Sequence, residues 1–170
     1  AESLGLSLSE ISYFVALLFI GGVLFQFPIG ILSDYFDRRF IIIIITTCAA
    51  LVPLSLIIMK VESTLVFMIT FFIFGGLSLS LYSLCASHAN DHLSSSQMVA
   101  ANGTIVLILG AGATLGPPLD SLAMITFGAD GFLLAFIIIH TIVGAYGIFR
   151  MTRRKSLPLE EQGNVAFTPQ

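Results

Sequence analysis

The densest group of side chains able to do chemistry is the run Gly30-Ile31-Leu32-Ser33-Asp34-Tyr35-Phe36-Asp37-Arg38-Arg39. Its carboxylate, Asp34, can interact with the N-terminus of a neighbouring helix, where unpaired N–H groups carry partial positive charge. Its paired guanidiniums, Arg38 and Arg39, can bind carboxylates or lipid phosphates. Gly30 would let two helices approach closely. An ordinary basic loop accounts for the arginines, but not for Gly30 and Asp34 at this spacing.

Two histidine groups come next. His140 lies in the middle of an uncharged apolar stretch. An ionisable group inside a membrane is a candidate proton carrier, although a neutral imidazole bonded to a neighbouring helix satisfies the same position. His88-Ala89-Asn90-Asp91-His92 places His, Asp and His at i, i+3 and i+4, a spacing that makes a metal face on a helix. A solvated polar loop explains it more simply, so no metal site is assigned. No H-E-x-x-H, G-x-S-x-G or P-loop pattern occurs. No cofactor, no nucleic-acid partner and no enzymatic chemistry are therefore expected. Cys48 and Cys85 both fall in apolar stretches and have no metal-type spacing, so neither a disulfide nor a metal is expected from them.

The elements that must position these groups follow from composition. Of the 170 residues, 56% are hydrophobic and 10% charged, and mean hydropathy is +1.00. A soluble domain carries about a quarter charged residues, so a water-soluble globule is excluded. So is disorder, given the abundance of Ile, Leu and Phe. Charges divide the chain into charge-free windows at 11–33, 40–59, 63–90, 92–119 and 131–149. About 20 apolar residues span a bilayer as a helix. The runs are continuous rather than alternating, which argues against a membrane β-barrel. The sequence predicts an all-α membrane protein with spans at about 8–32, 40–59, 64–87, 95–118 and 131–150. Together these form a transmembrane helical domain over 1–151, followed by a disordered cytoplasmic tail over 152–170. Ser7 with Glu10, and Ser94 with Gln97, read as capping boxes. No basic n-region with a short apolar core is visible, so no signal peptide is expected.

Basic residues set the orientation. Arg38 and Arg39 follow span one, while Arg150, Arg153, Arg154 and Lys155 follow span five. An odd number of spans puts both clusters on one side, taken as cytoplasmic, with the N-terminus and Lys60 outside. Spans two and five are apolar nearly all round and are expected to face lipid. Spans one, three and four carry glycines, hydroxyls and amides, and are expected to pack or to line a cavity. Gly22, Gln26 and Gly30 share one face of span one. Gln26 lies about 12 Å from Asp34 along the axis, either in a cavity or in an interhelical hydrogen bond. Tyr82 and Asn102 are further candidates for cavity or packing positions. In Gly112-Ala113-Thr114-Leu115-Gly116-Pro117-Pro118, the ring of Pro117 is expected to kink span four. Asp120 falls about 35 Å along that span, near the outer interface.

The loop after span one resembles the signature loop of the major facilitator superfamily, G-x-L-[S/A]-D-[R/K]-x-G-[R/K]-[R/K]. Gly30, Leu32, Ser33, Asp34, Arg38 and Arg39 match it, while Tyr35 and Asp37 depart from it. Gly112, Gly116 and Pro117 resemble the glycine-proline helix-five motif of some antiporters in that superfamily, with Leu119 and Asp120 in place of its later glycines. The order of elements is similar to helices eight to twelve of a bacterial permease. The stretches Asp91-His92-Leu93 to Met98-Val99-Ala100 and Leu115-Gly116-Pro117 resemble the YcaD-like subgroup.

The resemblance implies an incomplete six-helix C-terminal half. The missing helix would precede Ala1, and the missing N-terminal half would be a partner. A small solute would bind between the halves and cross the inner membrane by ion-coupled alternating access. Helices two to six are a competing placement. A self-contained five-helix protein with a partner-binding or assembly role is the alternative from another class.

Overall fold

The computed structural model describes residues 7–61, 63–154, 158 and 162. Most of the expected 152–170 tail lies outside the described residues. The described residues form five helices: α1 (Leu8–Tyr35), α2 (Arg38–Met59), α3 (Thr64–Asn90), α4 (Ser95–Phe127) and α5 (Asp130–Arg153). All five are long and apolar enough to cross a membrane, and no strand occurs among the described residues.

Local chemistry sets the helix ends. Glu10 returns to the Ser7 N–H at 2.8 Å and Gln97 to the Ser94 N–H at 3.1 Å, so each N3 side chain satisfies a donor that the helix leaves open. Asp37 caps α2 through the Arg39 N–H at 3.0 Å. At the other end of α2, Lys60 adopts a left-handed φ of 46°. That conformation lets the Lys60 and Val61 N–H groups reach the carbonyls of Ile57 and Leu56, closing a Schellman turn. α4 does not stop at its prolines. It runs through Pro117 and Pro118 to Phe127, 33 residues in all, or about 50 Å. That exceeds the roughly 30 Å hydrocarbon core, so α4 must tilt or project beyond it.

The two most extensive helix contacts join helices that are not adjacent in sequence. α1 lies along α3, α2 packs against both α3 and α5, and α4 leans chiefly on α5. Glycine makes the α1–α3 contact close. A methyl group added at Gly21 would strike the Phe72 carbonyl, and one at Gly75 the Leu18 carbonyl. Backbones can approach this closely only where side chains are absent. Around that crossing, Phe71 is 1% exposed. Its ring meets Phe14 of α1 at 4.5 Å and Phe132 of α5 at 6.0 Å. The aromatic cluster thus joins three helices.

One expectation is corrected here. α2 does not face lipid all round: Ile41, Ile45, Thr46, Ala49, Ala50, Pro53 and Leu56 are buried. Conversely, α4 buries no residue in this chain. Among the described residues, nothing lies within 4 Å of a Cβ added at Gly112 or Gly116, and Gly30 is likewise open. The physical reason is that lipid and a helix core are about equally apolar. An aliphatic face fits either environment, and a small-residue face packs only where a partner is present.

Candidate functional site

The loop between α1 and α2 folds into a charge cluster centred on Arg38, whose side chain is 8% exposed. Starting α2 at Arg38 turns its guanidinium back toward the end of α1. There Nη2 donates to Asp34 at 2.9 Å, while Nη1 donates to Asp91 at 3.1 Å. The two acids differ sharply: Asp34 is 66% exposed and Asp91 only 4%. Ser33 is also buried, donating its hydroxyl to the Gly30 carbonyl at 2.7 Å. Arg39 grips Asp37 through Nη2 at 2.9 Å and Nε at 3.2 Å. The Arg39 guanidinium holds the Asp37 carboxyl below the usual aspartate range, outweighing the opposing effect of partial burial. Arg39 also donates to the backbone carbonyl of Arg154 at 2.8 Å, tying the start of α2 to the end of α5.

Asp91 is the member that sequence reasoning missed, because His88 to His92 read as a solvated loop. α3 in fact continues to Asn90, and Asp91 is its C-cap. A signal was present. A carboxylate at a helix C-terminus meets the negative end of the helix dipole, so it needs a cation, and Arg38 supplies one. His88 and His92 stack on each other at 5.0 Å. No cluster of metal-ligating side chains is present among the described residues.

Beside this cluster, Gln26, Gly30, Ser33 and Asp34 line an open recess of about 500 Å³, with Ser83 and Ser87 of α3 on its other wall. Four of the sequence-predicted residues therefore share one surface. Leu32 is 42% exposed on α1. Tyr82 is 41% exposed and Asn102 is half-buried, and neither lines this recess. Gly112, Gly116 and Pro117 lie on α4, away from the charge cluster.

His140 is 7% exposed and joins α5 to α3. Its Nδ1 contacts the Phe136 carbonyl at 2.8 Å and its Nε2 the Ser78 hydroxyl at 3.1 Å. A carbonyl only accepts, so Nδ1 carries the proton. In the neutral ring, Nε2 then accepts from Ser78. Phe74 packs edge-on against the ring at 5.4 Å.

The sequence is similar to known proteins. An uncharacterised MFS-type transporter, YcaD, of Escherichia fergusonii is 27% identical over 155 residues, covering 91% of this chain and 39% of that protein. YcaD of Shigella flexneri is 29% identical over 142 residues, 84% of this chain and 35% of that protein. YcaD from an Escherichia coli strain gives the same values of 29%, 84% and 35%. The chain thus spans well under half the length of these relatives. No solved structure matches it. The sequence profile of the Major Facilitator Superfamily matches residues 1–169, and the chain belongs to that family.

Proposed function

We propose that this chain is the helix-eight-to-twelve part of a secondary active transporter that moves a small solute across a bacterial inner membrane by alternating access. In this reading the N-terminus is outside and the Arg38 end of the bundle is cytoplasmic. The domain covers 1–151, and a further six-helix half is the partner. Ion coupling is the default for such a carrier. Hydroxyls and amides outnumber charges within the helices, which favours a neutral or amphipathic solute. The protein performs no covalent chemistry, so Gly30, Leu32, Ser33, Asp34, Arg38 and Arg39 act through conformation.

The observation carrying this reading is the asymmetry of the two carboxylates on Arg38. Asp91 is buried, whereas Asp34 is 66% exposed. One oxygen of Asp34 is bound to Arg38, and the other has no partner among the described residues. That oxygen is free to cap a helix start in the other half, a contact worth up to about 2 kcal/mol when partly buried. By pseudo-symmetry, the start of α4 near Ser95 would receive the corresponding carboxylate. Both contacts would form only with the cytoplasmic side closed, biasing the carrier outward.

The test is Asp34→Asn in the full-length protein, read by cysteine accessibility on the cytoplasmic side. Accessibility is expected to rise. An unchanged value in a well-folded variant would reduce the loop to a topology signal. A genomic reading frame that does not continue upstream of Ala1 would instead favour the self-contained assembly protein.

A further inference from the structure

A second recess, of about 460 Å³, opens where α2 starts and α3 and α5 end, and Arg39, Arg150 and Arg154 line it. Its deeper wall includes Ile42, Val143 and Gly147. Along α5, Val143 lies about 10 Å from Arg150. The recess therefore passes from guanidinium to aliphatic surface over that distance.

The charges in it are unequally compensated. Asp37 is held by Arg39, and Asp91 by Arg38. Neither Arg150 nor Arg154 has a carboxylate partner among the described residues. The bond from Arg39 to the Arg154 carbonyl brings their residues together, crowding like charges around one opening. The C-terminus of α5 offers only about half a negative charge in return. Such crowding is relieved by an anion. Because α2, α3 and α5 each have the length and hydropathy to cross a membrane, the recess at their shared end lies at the depth of lipid headgroups.

We propose that this recess binds the phosphate of an anionic phospholipid, with Arg150 and Arg154 contacting the headgroup and the Val143–Gly147 wall meeting the start of an acyl chain. Basic pockets between membrane helices bind anionic headgroups in this manner. The chemistry shared with a free phosphate is the anion, and the apolar wall is what favours the lipid. The inference needs only the membrane-spanning helices and does not rest on the transport reading.

The experiment uses full-length protein purified in neutral detergent and titrated with dioleoylphosphatidylglycerol or dioleoylphosphatidylcholine, with bound lipid counted by native mass spectrometry. Phosphatidylglycerol should be retained over phosphatidylcholine. Arg150→Gln/Arg154→Gln should weaken its retention about twenty-five-fold, taking each surface arginine at about fivefold. Arg153→Gln should have little effect, because Arg153 sits over the Phe149 ring instead. Arg150→Lys/Arg154→Lys should restore most of the retention. Millimolar inorganic phosphate should not displace the lipid. Displacement would overturn the lipid assignment in favour of a free-phosphate site. Equal retention by wild type and the glutamine variant, or equal retention of the two lipids, would overturn the site altogether. Should the glutamine variant misfold, a salt titration of wild type decides: phosphatidylglycerol retention that ignores salt sinks the proposal.

Discussion

Arg38 and Asp91 stand 53 positions apart in sequence and meet at 3.1 Å, with side chains 8% and 4% exposed. Removing one partner of a buried pair costs about 3–5 kcal/mol when the remaining charge is left uncompensated. Asp91→Asn leaves Arg38 with Asp34 alone, so it should destabilise the full-length protein by less, about 1.5–3 kcal/mol, the worth of a hydrogen bond to a charged group. Asp34→Asn removes the exposed partner and should cost no more than about 1 kcal/mol for the ion pair itself, apart from the proposed cap on the other half. Thermal unfolding in detergent compares the two. Equal losses would mean that burial of Asp91 confers nothing.

Asp37 supplies a pH signature. Its carboxyl titrates below the usual aspartate range because Arg39 bonds it. A depressed folded value means the contribution is complete above about pH 4 and fades as pH falls further. Asn is also a good cap, so Asp37→Asn removes the charge while keeping the cap. The variant should be less stable than its parent at pH 7, with the gap closing below pH 4. A gap of constant size at pH 7 and pH 3 would exclude the ion pair as its source.

His140 holds α5 to α3 through Ser78. In the full-length protein, His140→Ala should lower stability by about 1–3 kcal/mol, since it strands a half-buried hydroxyl. The pH dependence of solute uptake should not change. Loss of proton-driven uptake with exchange intact would assign His140 to coupling instead.

Glycines on the two sides of the bundle should respond differently. Gly21→Ala and Gly75→Ala each drive a methyl into a backbone carbonyl of the facing helix. Overpacking of this kind costs about 1–3 kcal/mol. Gly112 has open space in this chain, so Gly112→Ala should be harmless unless another helical segment packs there. Melting of the full-length variants measures both. A loss at Gly112 as large as at Gly21 would locate a partner on α4.

The proposed orientation is checked by cysteines on opposite ends, after Cys48 and Cys85 are replaced. A cysteine at Ser63 should react with an impermeant thiol reagent in intact cells. A cysteine at Ser156 should react only after permeabilisation. The reverse pattern would invert the topology.

Helix number and most helix starts were readable in the sequence, because charges and capping residues mark where water begins; the end of α4 was not, since it runs through its prolines to Phe127. Ser7 with Glu10 and Ser94 with Gln97 announce two helix starts. The loop from Gly30 to Arg39 was legible as a unit, since its acids and arginines lie close in sequence. Asp91 was not, because its partner is 53 residues away. Nor was the burial of α2, whose isoleucines suit lipid and protein equally. Gly30 and Gly112 read as contact glycines, but a small side chain marks only where a neighbour could approach.

The pairing of α1 with α3, and of α2 with both α3 and α5, constrains how the chain can assemble during synthesis. α1 is complete at Tyr35, but its partner is complete only at Asn90. At about 5–20 residues per second, that gap lasts roughly 3 to 11 s. Throughout it, the glycine face of α1 must be sheltered by lipid, by the insertion machinery or by earlier helices. α2 waits longer, since α5 is complete only at Arg153. A pause in translation after α3 would therefore leave α2 half-covered while α1 is already docked, with Arg38 and Asp91 among the first long-range contacts to close.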